Sequence, residues 1–296
     1  MVSTGNKPIP VIINPASGKA QPVLHTVNET FRKHNLSWQG HITYQFGDAT
    51  RFAKEAVADG AEMVVVYGGD GTVLEIVNGI LGSDVPIGII PGGTGNAVAT
   101  ELGISRKIEE AAELICTSKH RRAVDVAQAN DQYYLLRTYF GITQDQAASR
   151  SEKDKYHLLA YPKEVLGIMK DAPHAEYTVT VDGKKTTAQA MTCFVNNIDN
   201  LGGINVDIGD IKPDDGLVDV MLVSKNRQSL NELTHYALHV GHSKVHGYHA
   251  RGKEVTVETN PSQTVWLDGE LSGNTPVTVK VHPGAVKIIV PQETKA

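Results

Sequence analysis

Residues 61–81 read AEMVVVYGGDGTVLEIVNGIL, and the order of residue types in this stretch decides the fold class. AEMVVVY is an apolar run of strand length, VLEIVNGIL has a helical pattern, and Gly68-Gly69-Asp70-Gly71-Thr72 joins them. Strand, glycine turn and helix in that order form the building block of a parallel sheet. The glycines let backbone amides approach an anion, and the helix that follows offers its positive N-terminus. Asp70 is the odd residue. A carboxylate faces phosphate only through a divalent cation. The plainer alternative is that it caps the helix behind it.

The pattern repeats on both sides. IPVIIN (9–14) leads into a helical stretch at 22–35, and WQGHITYQF (38–46) alternates as a strand. GDATRFAKEAVADG (47–60) begins with cap residues and ends in glycine, as a helix should. VPIGIIP (85–91) is another apolar strand, followed by Gly92-Gly93-Thr94-Gly95-Asn96 and the helical AVATELG. Strand–loop–helix units in series predict a doubly wound parallel sheet. Right-handed crossovers would bring all the loops to one edge, where such sheets bind ligands. One glycine turn is weak; two at adjacent strand ends point to a polyphosphate cradle. Thr72, Thr94 and Asn96 can donate to phosphate oxygens. Neither turn is a Walker A loop, for the Lys-Ser/Thr ending is missing. Nor is there a dinucleotide fingerprint, since Gly69-x-Gly71 is followed by Leu74.

Beyond Arg122 the pattern changes to antiparallel β, read as a sandwich. Asn130-Asp131 and Asp182-Gly183 stand at hairpin turns. Further strands are expected at 216–223, 253–259, 264–270, 275–281 and 285–291, with two helices near 155–170 and 229–241. The expected domains are therefore 1–123, α/β, and 124–279, β-rich, with about 280–296 returning to the first.

Composition narrows the function classes. The chain has 296 residues, 41% of them hydrophobic and 21% charged, with a net charge of -5. That balance argues against a nucleic-acid partner. No apolar run reaches the roughly 18 residues of a bilayer span. The start lacks a secretion signal, so a cytoplasmic location is expected, with Cys116 and Cys193 as free thiols.

NPASG (14–18), GGDGTVLEIVNG (68–79), PGGTGNAVA (91–99) and DGE (268–270) together resemble the diacylglycerol kinase catalytic-domain family, which includes bacterial soluble lipid kinases and the sphingosine and ceramide kinases. The resemblance runs from about Ile9 to about Pro291. Its first domain resembles that of NAD kinases and phosphofructokinases, which carry similar turns, but PGGTGN with a late DGE is similar to the lipid kinases. The resemblance implies ATP and Mg²⁺ as cofactors. It assigns Asn14, Ser17, Gly18, Thr43, Gly69, Asp70, Gly71, Thr72, Glu75, Gly93, Thr94 and Asn96 to the nucleotide, with Asp70 near Mg²⁺–ATP. It puts a general base at Asp268 or Glu270, leaving open which; spacing alone would make Asp268-Gly269 a hairpin turn.

The acidic stretch DIGDIKPDDGLVDV (207–220) reads either as a solvated turn or, by resemblance, as a structural Mg²⁺ site of the Asp215 carboxylate and main-chain oxygens of Lys212 and Leu217. The five histidines at 235, 239, 242, 246 and 249 tempt a zinc reading. Surface or interface histidines are expected instead. The stretch at 139–161 has less glycine than family members often carry, which leaves the acceptor lipid open. A lipid substrate and a reversible, peripheral membrane contact are expected, with Lys119, Arg121 and Arg122, or Lys153 and Lys155, as its basic face. A homodimer remains an open alternative.

Overall fold

A computed structural model of the chain describes residues 7–18, 21–141, 174–198, 211–223 and 248–292. The helices expected near 155–170 and 229–241, Lys153, Lys155, Asp207, Asp210 and the histidines at 235, 239, 242 and 246 lie outside these residues. Two compact units emerge: Met1–Val124 with Gly284–Ala296, and Asp125–Pro283.

The first unit runs β1 (Ile9–Ile13), α1 (Val23–Lys33), β2 (Trp38–Ile42), α2 (Asp48–Ala58), β3 (Val64–Gly68), α3 (Asp70–Ile80), β4 (Ile87–Pro91), α4 (Ala97–Glu101) and α5 (Ile108–Thr117). The strands lie in the order β2-β1-β3-β4, all parallel. Every residue of β1, β3 and β4 is buried, as expected of parallel strands covered on both faces. From β1 the chain steps one way to β2, then the other way to β3 and β4. Right-handed crossovers therefore put α1 on one face and α2 and α3 on the other. The packing agrees: α2 lies against α3, and α1 against α5. The same rule gathers the carboxyl ends of all four strands, and the loops that follow them, at one edge.

In the first unit, the second strand ends earlier than the sequence reading has it. The alternating run 38–46 stops being strand at Ile42. The Asp48 carboxylate accepts the N–H groups of Tyr44 (2.9 Å) and Gln45 (3.1 Å), which folds Thr43–Phe46 into the turn that leads into α2 instead. Tyr44 and Phe46 are left 89% and 82% exposed.

The second unit contains β5 (Arg121–Ala129, entering from the first unit), β6 (Gln132–Tyr134), β7 (Arg137–Phe140), β8 (Ala175–Val181), β9 (Lys184–Ala190), β10 (Thr192–Asn196), β11 (Val218–Val223), β12 (Tyr248–Gly252), β13 (Glu254–Asn260), β14 (Thr264–Leu267) and β15 (Glu270–Asn274). The start of β16 (Val277–Ile289) belongs to it too. One antiparallel sheet has the order β12-β11-β10-β7-β14-β15; in the other, β16 pairs with β13, β13 with β8 and β8 with β9. An apolar cluster including Phe140, Val195, Val220 and Val265 from the first sheet and Tyr177, Val179, Val257 and Val279 from the second makes the sandwich core. The two strands expected at 275–281 and 285–291 are one strand of 13 residues. Pro283-Gly284, which reads as a break, lies inside it. Residues 277–280 pair with β13 and Ile288 with Ile87 of β4.

Gly79 of α3 packs closely against α2. A Cβ there would stand 2.5 Å from the Ala53 Cβ and 2.7 Å from the Thr50 carbonyl of α2. Helix propensity favours alanine over glycine by about 1 kcal/mol, while overpacking costs about 1–3 kcal/mol. Because backbone cannot yield cheaply, Gly79→Ala is expected to lower the urea midpoint despite its better propensity.

Candidate functional site

Each strand of the first unit ends where a candidate residue begins. Asn14 follows β1. Its backbone N–H donates to the Tyr67 carbonyl (2.9 Å), its side-chain oxygen accepts the Ala16 N–H (3.0 Å), and its amide donates to the Thr72 hydroxyl (2.9 Å). The Ser17 hydroxyl accepts the Gly69 N–H at 3.3 Å. Gly18 has φ +64, and a Cβ on it would lie 2.0 Å from the Gly92 carbonyl oxygen. Only glycine lets these two loops touch. A Cβ on Gly93 would likewise sit 2.5 Å from the Gly69 Cα. The NPASG, GGDGT and GGTGN loops are therefore in mutual contact. Thr43 is buried beside them, with its N–H on the Ile13 carbonyl (3.0 Å).

Asp70 caps a helix, but not its own. Its carboxylate oxygens accept the N–H groups of Ala97 (3.0 Å) and Val98 (3.0 Å), the first residues of α4. Burial pushes its carboxyl up, while those N–H groups and the charge of Arg106 pull it back down. Asn96, in the left-handed region at φ 50, closes the loop by accepting the Gly93 N–H (2.9 Å) and donating to the Gly93 carbonyl (2.7 Å).

Glu75, one and a half turns along α3, does the same for α2. It accepts the Gly47 N–H at 2.7 Å, and the Thr50 hydroxyl donates to its carbonyl (2.9 Å). Burial raises its pKa, opposed first by the Gly47 N–H. Thus α3 sends a carboxylate to each neighbouring helix start, whereas at its own start Ser17 meets only the Gly69 N–H, and no described side chain bonds the Gly71 or Thr72 N–H. Gly71 in its first turn is exposed, with open space where a Cβ would be. Thr94 is exposed as well, and Thr72 is buried beside Asn14. An uncapped helix start ringed by glycine loops and hydroxyl donors binds anions.

The remaining candidates lie in the second unit. Asp268 and Gly269, with φ 47 and 96, form the tight turn between β14 and β15. The Asp268 carboxylate accepts three main-chain N–H groups, from Leu135 (2.8 Å), Leu136 (2.9 Å) and Arg137 (2.9 Å). Glu270, the first residue of β15, is exposed, and no described residue bonds or pairs with its carboxylate. The sequence reading could not choose between these acids; their surroundings differ sharply.

Lys212, Asp215 and Leu217 share one turn. The buried Asp125 holds it by accepting the Gly216 N–H (2.6 Å) and donating its own N–H to the Pro213 carbonyl (2.7 Å). The Asp215 carboxylate accepts the Leu217 N–H (3.1 Å) and pairs with Arg251. Arg251 also pairs with the buried Asp219, at 3.1 Å, and His249 lies 2.8 Å from that same acid. The Asp215 carboxylate, which the resemblance offers to a structural Mg²⁺, thus already has a guanidinium partner. Among the described residues no group of three or more histidines, cysteines or acids could hold a metal. Sequence reasoning missed Arg251 because its pairing with Asp215 spans 36 residues. It also missed Arg106, whose guanidinium reaches back to the Gly95 carbonyl from 11 residues along the chain.

Residues 8–129 match the diacylglycerol kinase catalytic domain, and residues 139–290 match the YegS C-terminal NAD kinase beta sandwich-like domain. A Staphylococcus haemolyticus protein named "Putative lipid kinase SH2167" is 32% identical over 256 residues, covering 81% of this chain and 80% of its own. The chain belongs to the diacylglycerol kinase catalytic-domain family. A Staphylococcus epidermidis protein named "Putative lipid kinase" is 28% identical over 278 residues, 86% of this chain and 87% of its own. A crystal structure titled as a putative diacylglycerol kinase from Bacillus anthracis str. Sterne superposes with TM-score 0.82 at 29% identity, covering 98% of both chains. Membership supports a kinase of lipid-kinase type, and such kinases use ATP. No helix among the described residues is long and apolar enough to cross a membrane.

Two outcomes follow from the contacts above. Asp70→Asn retains one good acceptor for two N–H groups, and leaving one unmet costs about 1–3 kcal/mol; urea unfolding is expected to register that loss. Burial pushes the Cys116 thiol up to about 12 and raises that of the buried Cys193. Because the thiolate is the reactive form, neither should react with a thiol reagent at pH 7.5 until denaturant is added.

Proposed function

We propose that the chain is an ATP-dependent lipid kinase. It transfers the γ-phosphoryl group to a lipid hydroxyl, with diacylglycerol as acceptor and phosphatidic acid as product. The observation that carries this reading is the start of α3, whose Gly71 and Thr72 N–H groups bond no described side chain, within three touching glycine loops, on a chain whose relatives are named as putative lipid kinases. Mg²⁺ enters with the nucleotide as part of the substrate. Most of its ligands would be phosphate oxygens and water, as is usual for kinase Mg²⁺, and Asp70 is the carboxylate within the loops. Phosphoryl transfer leaves little covalent work for the protein, so positioning and charge neutralisation dominate.

Of the two candidate bases, Glu270 is the better one. Asp268 has its oxygens engaged by three main-chain donors, which suits it to hold the turn. Glu270 keeps its acceptor capacity two residues on. In this reading Glu270 takes the proton of the lipid hydroxyl as its oxygen attacks the γ-phosphorus. The bond from that phosphorus to the bridging oxygen breaks, and ADP leaves. The enzyme would work in the cytoplasm and meet the membrane surface peripherally.

Another lipid alcohol, such as a sphingoid base or phosphatidylglycerol, is the alternative acceptor. The likeness of the second domain to NAD kinases makes NAD a required control. Labelled ATP with a panel of micellar lipids and NAD tests the reading: phosphate should move to diacylglycerol, and transfer to NAD alone would refute it. Glu270→Gln is expected to lower kcat by about 10²–10⁴-fold with nucleotide affinity unchanged. Asp268→Asn, by contrast, should show its defect in unfolding experiments as well as in rate.

A further inference from the structure

Among the described residues, the nucleotide site of the first unit has a charge deficit. The helix start of α4, which the glycine pattern offers to phosphate, is taken by the carboxylate of Asp70. That of α2 is taken by Glu75. Asn14, Ser17, Thr72, Thr94 and Asn96 are neutral. A triphosphate at the open start of α3 therefore meets backbone dipoles, neutral donors and one nearby carboxylate. Mg²⁺ offsets part of its charge, and positioned Lys or Arg commonly supply the rest in phosphoryl transfer.

Arg106 is the cation placed to do so. It lies between α4 and α5 and is exposed. Its Nη2 donates to the Gly95 carbonyl and, at 3.4 Å, to the Thr100 hydroxyl. These contacts hold the guanidinium on the GGTGN loop, close enough for its charge to act on Asp70. Nη1 and Nε donate to no described residue, and no described carboxylate pairs with Arg106. Four other described cations of this unit are already engaged: Arg51 by Asp48 and Glu55, Lys33 by Glu113, Lys107 by Glu110 and Lys287 by Asp84. A guanidinium anchored by one nitrogen, with its other donors unspent, is built to accept a second, anionic partner.

Resting on the nucleotide reading above, we infer that Arg106 is a phosphate-binding residue of this site, clamping the outer phosphates of ATP against the Gly92–Asn96 loop. The inference separates two roles that a loss of activity alone would confuse. A clamp acts on phosphates, so its removal should penalise nucleotides in proportion to their phosphate count. A purely structural contact with Gly95 would deform the loop and penalise all nucleotides alike.

The test is calorimetric titration of AMP, ADP and ATP, each with Mg²⁺, into the wild-type chain, Arg106→Gln and Arg106→Lys. Circular dichroism and urea unfolding establish that each variant is folded. A charge-assisted contact of this kind carries about 10- to 100-fold in affinity. Arg106→Gln is expected to lose that factor for ATP and to change AMP affinity by less than about twofold, with Arg106→Lys recovering part of the ATP loss. Equal losses for all three nucleotides, or no loss for ATP, would overturn the inference while leaving the kinase reading intact. A wild-type chain that bound none of the three would overturn both.

Discussion

The architecture of the candidate site depends on one carboxylate. Asp70 reaches across from the start of α3 and takes the first two N–H groups of α4. It thereby ties the loop after β3 to the loop after β4. Around this tie the loops approach at distances that only glycine permits, with Gly93 over Gly69 and Gly18 over Gly92. The burial that raises the pKa of Asp70 is the cost of the arrangement, and the two N–H groups offset it. Glu75 repeats the device toward α2. The acidic residues of α3 are thus structural donors of negative charge to its neighbours, and its own N-terminus remains the open positive end.

That division of labour answers the puzzle of an aspartate inside a phosphate-like turn. If Asp70 capped α3, it would fill the very position an anion needs. By capping α4 it leaves that position clear and gives up the alternative one. Arg106 stands beside the loops with donors to spare. The second unit uses the same economy. Asp268 spends its carboxylate on three N–H groups of the Leu135–Arg137 segment, and Glu270, two residues on, stays uncommitted. In both units a buried or bonded acid builds the frame beside the group suited to chemistry.

Much of this was legible in the chain. The period of the apolar residues exposed the parallel sheet, because strands covered on both faces must be apolar throughout, as β3 and β4 are. Asp182-Gly183 and Asp268-Gly269 announced hairpins, since two successive positive φ angles suit Asp/Asn-Gly. Other features were not legible. The run Trp38–Phe46 alternates like a strand, but the Asp48 carboxylate captures its last amides. Pro283-Gly284 looks like a break and lies within one long strand. In each case a contact outside the local pattern outweighed local preference.

The sequence by itself determined the strand–loop–helix order of the first unit, the place of the glycine turns and, through four separated motifs, the family. These depend on residue type and spacing, which a linear reading preserves. Only the tertiary structure decided which partner each charged group takes. It gave Asp70 to α4 and not α3, Arg251 to Asp215 and Asp219, and three main-chain donors to Asp268. The physical reason is that a hydrogen bond or ion pair acts over about 3 Å in space, whatever the number of residues between its ends. Separations of 27 residues for Asp70 and Ala97, and 133 for Asp268 and Leu135, are closed by the fold alone.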